Sequence, residues 1–130
     1  MKSREKFIRR RADQKRFQVE DQRRRVTQIE SMIAEFERIA AALDQEIKAE
    51  QDRSGIHDPA HFAYPTYAKA AIQRRENLKR SAADLKLQLD DAKAVFAEAF
   101  EEMKKIELLD EHYQMHERED TLSMMMNAAR

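Results

Sequence analysis

The one glycine of this chain, Gly55, and its two prolines, Pro59 and Pro65, all fall between Ser54 and Pro65, close to the middle of 130 residues. Glycine and proline are the residues that most strongly end helices, so gathering all three in one short stretch leaves two long arms without a strong breaker. The pattern predicts a single reversal of the chain with a helix on either side of it.

Both arms carry a repeat that suits this reading. Before the reversal, Ile8, Ala12, Lys15, Val19, Gln22, Val26, Ile29, Ile33, Phe36, Ala40, Leu43 and Ile47 succeed one another in alternating steps of four and three. After it, Tyr64, Ala68, Ala71, Arg75, Leu78, Ala82, Leu85, Leu89, Ala92, Phe96, Ala99, Met103, Ile106, Asp110 and Tyr113 keep the same steps. A strict seven-residue repeat is the seam of a helix that coils left-handedly around a partner helix. Helix one is expected over about 3–52, roughly 75 Å long at 1.5 Å per residue. The turn is expected over about 53–65, helix two over about 66–120, and a frayed tail over about 121–130. Within the turn, Asp58-Pro59 reads as an N-cap with proline at the first helical position, opening a short helical turn through Phe62. Pro65 disfavours helical geometry at Tyr64 and restarts the main helix.

Charge selects the partner of each arm. If Asp52 lies opposite Thr66, residue n faces residue about 118 − n. Residues 1–25 then carry a net +7 against −4 over 93–117, and residues 26–50 carry −4 against +2 over 68–92. Folding back therefore sets plus against minus twice, whereas a parallel in-register dimer sets the most basic block against itself. Exposed pairs contribute only about 0–1 kcal/mol each, so charge chooses orientation more than it supplies stability. The fold class predicted is all-α, a long two-helix antiparallel coiled-coil hairpin forming one unit.

Composition agrees. Charged residues make up 38% of the chain and aromatics 7%, which suits long helices and leaves little for a wide core. The formal net charge is zero, so the total implies no attraction to nucleic acid or anionic membrane. Cysteine is absent, which removes disulfides and thiolate chemistry and suits the cytosol. No segment approaches the roughly 18 apolar residues of a membrane span, so a soluble chain without membrane insertion is expected. Apolar residues off the seam (Phe7, Phe17, Met32, Ile39, Ile72, Leu87, Phe100 and Leu108) have no place in a lone pair of helices, and partner proteins or self-association would cover them.

Several groups invite a chemical reading. Arg9, Arg16 and Arg23 sit seven apart, and Arg9 to Arg11 recurs as Arg23 to Arg25, a basic ridge on helix one. It could grip phosphates or an acidic protein surface, but the expected state is a solvated flank neutralised by the acidic arm opposite. No aromatic interleaving, zinc pattern or sequence-reading motif points to nucleic acid. His57 with His61, and His112 with His116, are i, i+4 pairs, each able to offer two metal ligands. Without cysteine or a metalloprotease glutamate beside them, ordinary exposed histidines are expected, with no metal and no cofactor. Phe62, Tyr64 and Tyr67 cluster around Pro65, either closing the end of the coiled coil or offering a docking surface. Met124, Met125 and Met126 could form an adaptable contact surface, although a frayed terminus is the expectation. There is no glycine-rich phosphate loop and no nucleophile paired with a base, so no catalytic residue is named and the chain is expected not to be an enzyme.

The wording of several stretches carries a resemblance. Met1-Lys-Ser-Arg-Glu5, Arg16-Phe-Gln-Val19, Gln28-Ile-Glu30, Met32-Ile-Ala-Glu-Phe-Glu-Arg38, the tip Asp58-Pro-Ala-His-Phe-Ala-Tyr-Pro-Thr-Tyr-Ala68, Arg74-Arg75 and Asn77-Leu78 together resemble the flagellar export protein FliJ family in its α-proteobacterial form. The likeness covers about residues 1–110, and the sequence departs from the family pattern beyond Asp110. It implies a cytoplasmic component of the flagellar type III export apparatus, peripheral at the inner face of the membrane and shaped like the stalk subunit of rotary ATPases. In that family the open end enters the pore of the hexameric export ATPase, which here implicates Phe7, Arg9, Arg10, Arg11 and Arg16. Segments a few turns from the tip meet the cytoplasmic domain of the membrane export gate, which implicates Leu43, Ile47, Tyr64, Tyr67 and Ala71. Escort of export chaperones is a further family role. Two other functions fit a helical hairpin: a holdase that binds unfolded clients through fraying arms, and a nucleic-acid-binding coiled coil using the basic ridge.

Overall fold

A computed structural model describes residues 2–129, so Met1 of the opening stretch and Arg130 of the expected tail lie outside the described residues. The chain is an all-α antiparallel hairpin of two helices, α1 (Lys2–Ser54) and α2 (Thr66–Ala128). Among the described residues, every position of both predicted seams is buried or half-buried. Contacts group the chain into two units, Val26–Asp91 and Met1–Arg25 with Ala92–Arg130.

In the unit 26–91, Ile29, Ile33, Ala40, Leu43 and Ile47 of α1 meet Tyr64, Ala68, Ala71, Ala82 and Leu85. Leu43, Ile47 and Ala71 form a buried cluster, with Ile39, Ile72 and Leu78 packed against it. The core is narrow because so many of these side chains are alanine. Its edges are tied by ion pairs, Arg75 Nη1 to Asp44 Oδ1 at 2.8 Å and Lys86 Nζ to Glu37 Oε1 at 2.9 Å.

The shape of the turn is set by its residues. Gly55 adopts φ 74°, a left-handed conformation that side chains resist, and its N–H donates to the Gln51 carbonyl at 2.9 Å to close α1. This cap lets α1 run through Ser54, two residues past its expected end. Asp58 Oδ1 accepts from the Ala60 N–H at 3.0 Å, the capping role read from Asp58-Pro59. Beyond this cap the chain makes two successive tight turns in place of the expected helical turn. The His61 N–H donates to the Asp58 carbonyl and the Tyr64 N–H to the His61 carbonyl, each at 3.0 Å. His61 Nδ1 accepts from the Ala63 N–H at 3.0 Å, and so takes that N–H out of any helical ladder. The Pro65 carbonyl accepts from the Lys69 N–H at 3.1 Å and opens α2. Tyr64 is buried and its hydroxyl accepts from Gln51 Nε2 at 2.9 Å, which braces the turn against the last turn of α1.

In the other unit, Ile8, Ala12 and Val19 of α1 are buried against α2, with Ala92 and Asp110 buried on the opposite side. Phe96, Ala99, Phe100, Met103, Ile106 and Tyr113 are half-buried. The polar seam positions find partners at the edge. Lys15 Nζ lies 2.5 Å from Glu102 Oε2, and Gln114 Nε2 donates to Asp110 Oδ2 at 3.4 Å. Lys15–Glu102, Arg23 over Phe96 and, in the first unit, Asp44–Arg75 each fall within one residue of the predicted opposition.

The expected fraying after residue 120 is not found: α2 continues to Ala128, and every described side chain from Met115 onward is exposed. Residues 121–128 contain no glycine or proline and include Leu122, Met124, Met125, Met126 and Ala128, all good helix formers, so the end of the seam does not end the helix.

Candidate interaction surface

The five residues implicated at the open end all lie on the first five turns of α1 and are all exposed. Phe7 keeps 64% of its surface in contact with solvent. Arg9, Arg10 and Arg11 are consecutive, so their side chains fan around the helix about 100° apart. Arg16 is the most engaged, its Nε 3.0 Å from Glu107 Oε1 on α2 and its Nη1 2.7 Å from Asp13 Oδ1. Arg23, next in the ridge, lies 3.7 Å from Glu20 Oε1 and 5.5 Å above the Phe96 ring. The expectation that acidic groups of α2 neutralise the ridge is met at Arg16. By contrast, Arg10, Arg24 and Arg25 have no ion-pair partner among the described residues.

Two carboxylates report the local field. Glu102 is held below the usual carboxylate range, first by the hydrogen bond from Lys15 and then by its charge, with Lys105 and Arg11 adding to the effect. Glu5 goes the other way. Partial burial pushes its carboxyl up, and a shared hydrogen bond and like charge with Glu117 push it further, while Arg9 opposes. A shallow groove runs beside this pair, lined by Arg9, Gln114, Glu117, Arg118, Thr121, Leu122 and Met125.

The residues implicated near the tip divide differently. Leu43, Ile47, Tyr64 and Ala71 are buried at 5%, 5%, 7% and 4% exposure, so they hold the two arms together and present nothing to a partner. Their seam positions require this, and they are corrected here from contact residues to core. Tyr67 alone of the five is open, at 58%, with its hydroxyl donating to Glu46 Oε2 at 2.7 Å. That hydrogen bond and the Glu46 charge raise the phenol above its ordinary pKa. The most open aromatic is one not assigned to the gate contact: Phe62 is 96% exposed and stacks on His61 at 4.7 Å between ring centroids. Of the aromatic cluster read around Pro65 as a cap or a docking surface, Phe62 and Tyr67 are open and Tyr64 is buried.

Among the described residues no three metal-ligating side chains converge, and no helix is long and apolar enough to cross a membrane. His116 Nε2 lies 3.8 Å from Asp120 Oδ2, and His112 packs edge-on against Tyr113. The open end thus offers a partner guanidinium groups, the exposed Phe7 ring and an open groove, and the tip offers the exposed rings of Phe62 and Tyr67. No family model matches the chain, and neither the curated proteins nor the solved structures compared with it give a match.

Proposed function

We propose that this chain is a non-enzymatic coiled-coil subunit of the flagellar type III protein export apparatus. In this reading it joins the hexameric export ATPase to the cytoplasmic domain of the membrane export gate and escorts export chaperones. It works in the cytoplasm, at the inner face of the membrane, and takes no cofactor. The observation that carries the reading is the exposed set Phe7, Arg9, Arg10 and Arg11 at the open end of a two-helix hairpin. These are the positions that the sequence likeness to the FliJ family assigns to the ATPase. Planar guanidinium groups recognise carboxylates in a two-pronged geometry, so an acidic ring of protein surface is a suitable partner for three arginines fanned around one helix. At the other end, Tyr67 is the residue of the expected gate set that can touch a partner directly.

The test is the affinity of the purified ATPase for the triple variant Arg9→Glu, Arg10→Glu, Arg11→Glu. Binding is expected to fall at least about tenfold, because several charge-assisted contacts are reversed together. Helix content should not change, since all three side chains are exposed. Unchanged affinity would remove the ATPase from the account.

A further inference from the structure

The outer face of α2 carries a second repeat, turned away from the seam. Leu108, Met115 and Leu122 sit seven residues apart, at 67%, 60% and 59% exposure. Met125 and Met126 extend the row at 68% and 66%. Side chains seven apart on a helix lie in line, and these occupy the heptad position opposite the buried stripe. Leu108 and Met115 thus lie away from α1, while Leu122 and Met125 also line the open groove beside Arg9. The charges beside the row are also unspent: Glu111, Arg118 and Glu119 have no ion-pair partner among the described residues.

We infer that this face of α2 binds the same face of a second copy of the chain, antiparallel, about a two-fold axis through Met115. The charge pattern selects this occupant. With the axis at Met115, Leu108 of each copy lies against Leu122 of the other. On one flank Glu111 meets Arg118, and on the other His112 meets Glu119, each pair occurring twice by symmetry. Antiparallel helices bring like-named flanks together, which is the arrangement these pairs need. A parallel in-register copy would bring unlike-named flanks together, which keeps Arg118 beside Glu119 but sets Lys104 beside Lys105 twice, whereas the antiparallel register places these lysines beside Met125 and Met126. The row spans about 27 Å of helix, and in the dimer its apolar side chains meet as Leu108–Leu122, Met115–Met115 and Leu122–Leu108, one layer per heptad between charged flanks. The inference rests on α2 alone and does not depend on the export reading.

The chain contains no cysteine, so single cysteines can report the register without background. The full chain carrying Met115→Cys should form a covalent dimer on mild oxidation, because residues at the two-fold approach within bridging distance. Leu108→Cys alone should not link to itself, since its copies lie about 21 Å apart along the helix. Mixed with Leu122→Cys it should give the mixed dimer. By sedimentation equilibrium the unmodified chain should show a monomer–dimer equilibrium at hundreds of micromolar. Arg118→Glu should weaken it about tenfold, and adding Glu111→Arg should restore it. Every site is exposed, so the variants keep their helix content, which circular dichroism checks. A chain that stays monomeric at all these concentrations overturns the inference, and so does Leu108→Cys linking to itself as readily as Met115→Cys.

Discussion

Arg75 reaches Asp44 on the opposite helix at 2.8 Å from a position in the seam, where the repeat otherwise places apolar side chains. Its guanidinium lies at the edge, with a second bond to Glu76 at 3.1 Å, while its stem lies along the seam. Polar groups at such positions cost stability and fix register, since a slipped pairing would leave the charge without its partner.

Replacing Arg75 by leucine and Asp44 by alanine together should therefore raise stability by roughly 1 kcal/mol, because the exchange of both partners for apolar groups leaves no charge stranded in the seam. The cost should show as lost specificity. Thermal melting monitored by circular dichroism measures the first effect, and size-exclusion chromatography the second, as a spread towards higher oligomers.

Leu43 tests the reassignment of the tip residues to the core. Leu43→Ala should lose about 2–3 kcal/mol by urea unfolding, because it opens a cavity in the cluster it shares with Ile47 and Ala71. Tyr67→Phe should stay within about 0.5 kcal/mol, since it loses one exposed hydrogen bond. If both cost the same, the division between core and surface at the tip is wrong.

Gly55→Ala meets no atom within 4 Å, so any loss comes from the backbone at φ 74° and not from crowding. A cost of about 1–2 kcal/mol is expected, with Gly55→Asn losing less because asparagine tolerates the left-handed region. Chemical denaturation of the three proteins side by side checks the order.

Glu5 gives a pH dependence of known sign. Its folded pKa is raised, so the charged form is disfavoured by folding and the penalty is relieved as pH falls through the folded value. Glu102 is lowered by Lys15, so its contribution is present above the unfolded carboxylate value, about 4.3, and is lost as pH falls below it. Glu5→Gln should therefore protect the first turns of α1 from amide exchange at neutral pH, with the difference shrinking towards pH 4. Lys15→Met should show its deficit at neutral pH and lose it in acid. A Glu5→Gln effect independent of pH would separate Glu5 from Glu117.

Much of the fold is legible in the sequence because it depends on periodicity and on breakers. From Ile8 to Ile47 and from Tyr64 to Tyr113, each residue in step is at least half-buried. The place of the turn is legible but its form is not, since the ring nitrogen of His61 and the left-handed cap at Gly55 act over two or three residues and leave no periodic trace. The tail departs from expectation because the end of a seam is not the end of a helix, and residues 121–128 keep good helical propensity. The site is legible in part. Phe7 and Arg9 to Arg11 are exposed as their positions off the seam require, whereas Leu43, Ile47, Tyr64 and Ala71 lie on the seam. A seam residue cannot face a partner while the arms stay closed, and that conflict is visible in the repeat itself.

The most direct test is a distance between spin labels at the exposed positions Phe7 and Glu111, in a sample dilute enough to be monomeric. Paired helices lie about 8–10 Å apart, so with label arms a single population near about 2–3 nm is expected. One continuous helix would separate the labels by about 15 nm, and the absence of a short distance would contradict the hairpin and every assignment built on it.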